Sequence, residues 1–244
     1  MAKTQIYYDL RDALGQEGCP ICRLTHQASE RFLEGLIYEK VNDPKMRAKI
    51  RAARGFCREH AWALDRHGAS LGVAILLRDV IREIAQDLRV YGEDDEGAQN
   101  AWRSLYDRPR SRSKTVAALS SRGECPACAA VREWEQAAYE TLFEHLCSGD
   151  LMQLYNKSSG LCVPHLLRAL DSAPSAAQRE ALIRAQLPLT ERLLHNLDAL
   201  VRKSDYRFRD ELSEAEAVSW LQAIAAIAGE RVSSFPEKRE DLGR

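Results

Sequence analysis

Apolar side chains recur at every third or fourth position along most of the chain, and few segments show the period of two that is typical of strands. One stripe begins at Leu24 and continues to about Lys40, and another runs from Val131 to Leu146. Since residues three or four apart share one side of a helix, this pattern predicts an all-α protein. The strongest stripe of the first half comprises Val73, Leu77, Val80, Ile81, Ile84 and Leu88.

Several residues mark where helices should begin or change direction. Pro44 follows an aspartate and favours the first turn of a short basic helix. Ser175 and Ser213 are each followed three residues later by Gln or Glu, which is the pattern of a capping box. Pro188 lacks a backbone N–H, so it should kink a helix or begin a new one. The helix after Ser213 is expected to face the core through Val218, Leu221, Ala225 and Ala228.

One pattern of cysteine and histidine occurs twice in the chain. Cys19-Pro20-Ile21-Cys22 is followed after 34 residues by Cys57-Arg58-Glu59-His60. Cys125-Pro126-Ala127-Cys128 is followed after 33 residues by Cys162-Val163-Pro164-His165. The two sets contain six of the seven cysteines and two of the six histidines, and a glycine stands two residues before each CxxH segment. This repetition indicates a duplicated unit with two metal sites.

The residue types in each set are those that structural zinc prefers. Zinc is commonly held by four thiolate and imidazole ligands, and Cys3His is one of its usual sets. A CxxC pair supplies two sulfur atoms at a helix entrance, while a CxxH segment supplies a third sulfur and an imidazole one helical turn apart. We therefore predict two zinc ions. The predicted metal ligands are Cys19, Cys22, Cys57, His60, Cys125, Cys128, Cys162 and His165.

The pairing of the two motifs is a separate question. Each repeat carries a complete Cys3His set, so we expect the CxxC and the CxxH of the same repeat to bind one ion. In the alternative, the second CxxC shares an ion with the first CxxH across the repeats. The spacing alone is compatible with both arrangements.

Other cysteine chemistries fit these sets less completely. Iron–sulfur clusters also take thiolates and accept histidine, so two clusters stay open as the alternative to zinc. A metal-free, thioredoxin-like dithiol would need a βαβ pattern and would leave both CxxH segments unexplained. Covalent c-type haem needs histidine directly after the CxxC pair, where Arg23 and Ala129 stand instead. Catalytic zinc keeps an open coordination position, whereas four protein ligands close the site.

The duplication divides the chain into five predicted segments. The first repeat occupies residues 1–90 and the second residues 119–204, with residues 91–118 as a linker in which the helical period stops. Residues 205–232 should form a C-terminal helix, and residues 233–244 a tail without periodicity. The predicted fold is thus two pseudo-repeated helical units, each with a Cys3His metal site, plus a C-terminal helix.

Charge and composition narrow the range of partners. The 244 residues include 35 Lys and Arg against 36 Asp and Glu, so a net charge of −1 gives no general attraction to nucleic acid or anionic membranes. A local nucleic-acid site would have to use Arg108–Lys114 and Arg202-Lys203 with Tyr206 and Phe208, and the basic tract lacks interleaved aromatic residues. The chain has neither an export signal nor a run of roughly 18 apolar residues, so we expect a cytoplasmic protein without membrane contact.

No catalytic arrangement stands out in the sequence. The seventh cysteine, Cys147, lies among apolar positions and is expected to be a buried thiol. A Ser/His/Asp set, a phosphate-binding glycine loop and paired carboxylates are all lacking as recognisable motifs. The sequence therefore favours a metal-binding protein with a binding or regulatory role and a protein partner over an enzyme. A redox, electron-transfer or sensor protein with two iron–sulfur clusters is the alternative.

The motifs also resemble those of a bacterial family known only as a domain of unknown function. The resemblance covers about residues 15–230 and implies the same duplicated unit, without an activity that could be transferred to this chain. The residues that carry it are Gly18–Cys22, Val41–Pro44, Gly55–Trp62, Cys125–Cys128, Gly160–His165 and Tyr206–Phe208.

Overall fold

A computed structural model of the chain describes residues 4–91, 114–145, 150–205 and 211–231. Within these ranges the chain forms helices, turns and loops but no strand, which confirms the all-α prediction. None of these helices combines the length and the apolar character that a membrane crossing requires. Predicted features outside the described residues are Cys147, most of the basic tract Arg108–Lys114, the aromatic residues Tyr206 and Phe208, and the tail 233–244.

The described residues contain eleven helices. In chain order they are α1 Gln5–Leu14, α2 Pro20–Tyr38, α3 Pro44–Ala52, α4 Arg58–Trp62, α5 Ser70–Tyr91, α6 Lys114–Leu119, α7 Pro126–His145, α8 Asp150–Lys157, α9 Val163–Asp171, α10 Ala176–Lys203 and α11 Glu214–Ala228. The sequence pattern does not predict α1, α6 and α8, because helices of 10, 6 and 8 residues are too short for a periodic stripe to stand out.

The predicted helix signals have different outcomes. Ser213 forms a complete capping box with Glu216 at the start of α11. Ser175 caps α10 by accepting from the Gln178 N–H, while the Gln178 side chain donates to the Phe143 carbonyl instead of completing a box. α10 continues through Pro188, so no new helix begins there.

The stripe predicted for α5 is only partly right. Val80 is buried together with Leu76, whereas Ile81 and Leu88 are exposed. Leu76 and Val80 pack with Ile50 of α3, so the position of α3 decides which side of α5 is covered. Periodicity shows that a helix has an apolar side. It does not show which residues lie at the middle of the buried face when neighbouring positions are also apolar.

The prediction that α11 buries an apolar face is wrong for most of that face. Ser219 is buried, whereas Val218 and Leu221 are exposed. α11 carries apolar residues on nearly all sides, so its pattern does not select the side that packs against the rest of the protein.

The described residues divide into two compact units. The first unit comprises residues 4–28 and 131–231, and the second comprises residues 29–130. The division falls inside α2 and inside α7. Each unit therefore draws its residues from both halves of the sequence. The predicted repeats at residues 1–90 and 119–204 stay a prediction about sequence duplication.

The first unit has a continuous apolar core. Leu10 of α1 and Ile21 of α2 lie in it with Leu142 of α7, Tyr155 of α8 and Leu182 of α10, and all are almost completely buried. Burying such large side chains stabilises a fold by roughly 1.5–3 kcal/mol each. Cys19 and Cys162 belong to the same core, so this packing positions one cysteine from each half of the sequence.

The second unit combines two apolar clusters with a set of ion pairs between α3 and α5. Asp79 of α5 is buried and accepts hydrogen bonds from Arg47 of α3, including one from Nε at 3.0 Å. Arg51 lies 3.0 Å from Glu83, and Arg54 contacts Glu83 and Asp87. Arg47 and Arg51 of α3, and Arg54 shortly after it, therefore pair with carboxylates of α5 in the same unit.

Replacing Asp79 with asparagine should lower the melting temperature of the second unit, and the size of this effect should depend on pH. Hydrogen bonds from Arg47 hold the pKa of Asp79 below its ordinary value of 3.8. A lowered pKa in the folded state means that the ionised carboxylate stabilises the fold above that value and ceases to do so as the pH falls through the folded pKa. The difference in melting temperature between wild type and Asp79→Asn should be constant near neutral pH and narrow below about pH 4.

Glu34→Gln is the matched control for Asp79→Asn, because Glu34 is an exposed carboxylate of α2 in the same unit. Its melting temperature should follow that of the wild type at each pH. A difference between wild type and Asp79→Asn that does not change with pH would contradict the assigned role of the ionised carboxylate.

Candidate metal centres

Each CxxC pair stands at the N-terminal end of a long helix. Cys19 directly precedes Pro20, the first residue of α2, and Cys125 directly precedes Pro126, the first residue of α7. Proline fits this position because its fixed φ suits the first helical turn and its missing N–H would have no partner inside the helix. The second cysteine of each pair then lies in that first turn. Both thiols of a pair are thereby directed to the same side of the helix entrance.

Each CxxH segment forms the start of a shorter helix. Cys57 is the N-cap of α4 and Cys162 is the N-cap of α9, and neither side chain caps its own helix. Each thiol instead lies 3.1 Å from Nδ1 of the histidine three residues later, His60 or His165. The CxxH segments therefore have the same local geometry in both units.

The first unit brings together the group that we call site A, which consists of Cys19, Cys22, Cys162 and His165. The Cys22 and Cys162 sulfur atoms are 3.7 Å apart. The His165 Nδ1 atom lies 3.6 Å from the Cys19 sulfur and 3.3 Å from the Cys22 sulfur. Cys19, Cys162 and His165 are buried, and Cys22 is partly buried.

The second unit brings together the group that we call site B, which consists of Cys57, His60, Cys125 and Cys128. The Cys57 and Cys128 sulfur atoms are 3.6 Å apart. The His60 Nδ1 atom lies 3.7 Å from the Cys125 sulfur and 3.3 Å from the Cys128 sulfur. All three cysteines of site B are partly buried, so this site is more open to solvent than site A.

The expected pairing within each repeat is therefore wrong. Site A joins the first CxxC to the second CxxH, and site B joins the first CxxH to the second CxxC. The 19 residues of α2 span about 28 Å at 1.5 Å per residue, so this helix carries the chain far from Cys22 before the first CxxH occurs. α7, with 20 residues, does the same after Cys128.

The distances between the ligand atoms of each site suit one metal ion. In each site the four ligand atoms all lie within 4.8 Å of one another. A tetrahedral zinc ion with Zn–S bonds of about 2.3 Å would separate two sulfur ligands by about 3.8 Å, close to the observed distances. Both sites could therefore hold a metal ion.

The thiols of site A affect each other's ionisation. Hydrogen bonds from Cys19 and Cys22 hold the pKa of Cys162 far below its ordinary value, while the hydrogen bond to Cys162 raises the pKa of Cys19. Burial lowers the pKa of His165, but its contacts with Cys162 and Cys22 outweigh burial and raise it to about 9. Since a metal binds thiolates and neutral imidazole, metal binding at site A should release protons.

In site B, too, the pKa of one thiol is lowered and the pKa of another is raised. Burial opposes ionisation of Cys125, but hydrogen bonds from His60 and from backbone groups lower its pKa to about 6. Burial and the hydrogen bond to Cys57 raise the pKa of Cys128 to about 12. Adjacent thiolates disfavour each other's charge, and a bound cation would remove that conflict.

A buried glutamine supports the loop that enters the second CxxH segment. The Gln186 Oε1 atom accepts hydrogen bonds from Tyr155 Oη at 2.5 Å and from the Leu161 N–H at 2.9 Å. Its Nε2 atom donates to the Leu161 carbonyl at 3.2 Å. Gly160 in this loop has φ 73°, a conformation that favours glycine. Gln186 thus fixes the backbone directly before Cys162.

A buried glutamate lies behind His165. The Glu135 Oε1 atom is 3.8 Å from His165 Nε2, accepts from the Tyr139 hydroxyl at 2.6 Å and accepts from Arg168 at 3.0 Å. Carboxylates beside the second nitrogen of a metal-binding histidine orient the ring and make it a better ligand. At 3.8 Å the Glu135 carboxylate is too far from His165 Nε2 for a hydrogen bond, so it acts on the ring through its charge, on the side opposite the thiols.

A cavity of about 540 Å³ lies beside site A in the first unit. Cys19 and Cys162 form part of its wall, Leu189 of α10 contributes apolar surface, and Arg192 and Glu230 contribute charge. A cavity of this size lies in the range of small-ligand sites. Site A is thus bordered by a cavity with both apolar and charged walls.

The eight predicted ligands all lie in these two groups, but sequence reasoning missed the residues that surround them. Glu135 and Gln186 lie within helices, where a single polar residue gives no signal of a role. Glu230 lies near the end of the predicted C-terminal helix, residues 205–232, and belongs to no recognisable motif. Partners of this kind are found only through tertiary contacts.

The fold and the two groups define the class of the protein: it is an all-helical protein with two sites of the Cys3His type that could each hold a metal ion. The chain belongs to the family of unknown function DUF6062, whose pattern matches residues 1–232. This agrees with the resemblance found in the motifs.

A distant relative is also known. The chain is 22% identical over 217 residues to a protein described as "Uncharacterized 23.9 kDa protein in xynA 3'region" from Caldicellulosiruptor sp. (strain Rt8B.4), and the match covers 88% of this chain and 96% of that protein. No solved structure matches the chain.

Proposed function

We propose that sites A and B each bind one zinc ion that stabilises its unit, and that the protein acts as a metal-stabilised binding or regulatory protein. The observation that carries this proposal is the clustering of three thiols and one imidazole within 4.8 Å in each unit. Four protein ligands complete the coordination of structural zinc and leave no position for substrate. This supports a scaffold role over catalysis.

The short distances between ligands favour a single ion over an iron–sulfur cluster. In an iron–sulfur cluster the four ligands are shared among two or four iron atoms, so ligands of different irons must lie further apart than the ligands of one ion. In each site all four ligand atoms lie within 4.8 Å of one another, which fits one ion. The iron–sulfur alternative rests on the ligand types, which clusters also accept.

Metal analysis of the purified protein tests the identity of the ion. Protein prepared under both anaerobic and aerobic conditions should be colourless and contain about two zinc ions per chain by mass spectrometry, because each unit holds one complete ligand set. Cys19→Ala should reduce the content by one ion, since it opens site A alone. Brown protein with iron and sulfide in equal amounts would contradict zinc and support the redox alternative.

A further inference from the structure

We propose that Gly229 and Glu230 form an additional part of site A, so that metal binding at this site and docking of α11 stabilise each other. This inference rests on the proposed metal binding at site A. It assigns a role in the site to a segment that lies more than 60 residues beyond the last predicted ligand, His165.

Two hydrogen bonds join this segment to the first CxxC pair. The backbone N–H of Glu230 donates to the Cys22 sulfur at 3.3 Å. The Glu230 Oε1 atom accepts from the backbone N–H of Cys19 at 3.1 Å. An N–H donor stabilises a thiolate, and groups that bond to the ligands orient them for the metal. Glu230 therefore donates a backbone hydrogen bond to one cysteine of the CxxC pair and accepts a hydrogen bond from the backbone of the other.

A glycine stands on each side of the contact between site A and the segment Gly229-Glu230. Gly18 has φ 89°, and a β-carbon at this position would overlap the Glu230 carboxylate. Gly229 has φ 87°, and a β-carbon there would lie 3.6 Å from the Cys22 sulfur and 3.9 Å from the Cys162 sulfur. The backbone at Gly229 thus lies directly against two of the thiols. Gly18 leaves the space that the carboxylate occupies.

α11 packs against α10 and α9, but it buries few of its own side chains. Ser219 is the buried residue of this helix, whereas Trp220 is 52% exposed and Ile227 is 69% exposed. Near its N-terminal end, Glu216 of α11 lies 2.8 Å from the Lys203 ammonium of α10. At the other end the contacts with Cys19 and Cys22 hold the segment that follows the helix. Loss of order at site A should therefore release the C-terminal end of α11.

Thermodynamic linkage makes the coupling between metal binding at site A and docking of α11 reciprocal. If metal binding at site A favours docked α11, then docked α11 must raise the affinity of site A for metal by the same factor. Removing a partner that bonds to a ligand typically weakens metal binding by about 10–100-fold.

The test compares Glu230→Ala with Glu230→Gln in the full zinc-loaded chain. After a chelator is added, alkylation and peptide mass spectrometry follow the release of Cys19, Cys22 and Cys162 separately from the cysteines of site B. Glu230→Ala should expose the site A cysteines about tenfold faster or more. Glu230→Gln should remain closer to wild type, since its amide oxygen can still accept from the Cys19 N–H.

Two further measurements separate this coupling from general destabilisation. Glu191→Ala, which removes an exposed carboxylate of α10 in the same unit, should behave like wild type. Hydrogen exchange of the wild-type amides in α11 should accelerate when zinc is removed. Release from site A that is as fast in Glu230→Gln as in Glu230→Ala would contradict the role assigned to the hydrogen bond from the Cys19 N–H.

The outcomes distinguish this inference from the proposed function. Protein that binds no zinc at either site would refute the proposed function. Protein that holds two zinc ions, with release from site A in Glu230→Ala as slow as in wild type, would refute the coupling alone. Exchange in α11 that does not respond to zinc removal would also refute it.

Discussion

Replacing Cys57 with alanine should expose Cys125 and Cys128 to an alkylating reagent while Cys19 and Cys22 stay protected. Cys57 belongs to site B, so its loss removes one ligand of the ion that the second CxxC pair also binds. The apparent binding free energy of structural zinc is about 10–16 kcal/mol, which is comparable with the total stability of a domain. The second unit should therefore lose most of its cooperative unfolding transition.

Cys162→Ala is the matched variant for Cys57→Ala, because Cys162 occupies the same position in the other CxxH segment. It should expose Cys19 and Cys22 and destabilise the first unit, while site B keeps its ion. Alkylation in native buffer followed by peptide mass spectrometry reads out both variants, and metal analysis should show one ion lost in each. Exposure of the CxxC pair from the same sequence repeat would contradict the crossed arrangement.

Replacing Gly160 with alanine should destabilise the protein far more than the same change at Gly55. The two glycines occupy the same position before their CxxH segments, and both have positive φ, 73° and 103°. At Gly55 no atom lies within 4 Å of an added β-carbon, so backbone strain of roughly 1–2 kcal/mol is the main cost. At Gly160 the β-carbon would lie 2.7 Å from the Gln186 Oε1 atom.

The collision at Gly160 should also disrupt the hydrogen bonds of Gln186. A buried polar group left without its partner costs about 1–3 kcal/mol, so together with the backbone strain we expect a total loss of about 2–5 kcal/mol for Gly160→Ala. Urea unfolding of the zinc-loaded variants, with hydrogen exchange to identify the affected unit, measures the difference. In a Gln186→Ala background the effect of Gly160→Ala should fall towards that of Gly55→Ala. Equal effects at the two glycines in the wild-type background would contradict this explanation.

The two CxxH segments and the glycines before them match in sequence position but differ in their surroundings. The matching positions of Gly55 and Gly160, like the matching CxxH segments, could be found from spacing alone. Their surroundings differ, because Gln186 lies on α10 and approaches Gly160 only in the folded first unit. Sequence symmetry therefore predicts equal local geometry but not equal energetic cost.

The sequence predicts where the long helices lie more accurately than it predicts which of their sides are buried. α2 and α7 follow from periodic apolar positions, and the proline after the first cysteine of each CxxC pair marks their first turn. The exposed Ile81 of α5 and Leu221 of α11 were expected in the core. Where apolar residues cover more than one side of a helix, only its neighbours decide which side is buried.

The sequence by itself determined the helical class, the eight Cys and His residues and the local geometry of each motif. These properties depend on periodicity and on residues within one helical turn, where chain connectivity fixes what can meet. The tertiary structure decided that each CxxC pair joins the CxxH segment of the other repeat, and that Glu230 contacts site A. α2 and α7 extend about 30 Å along their axes, so the partners at their N-terminal ends depend on packing and not on distance along the chain.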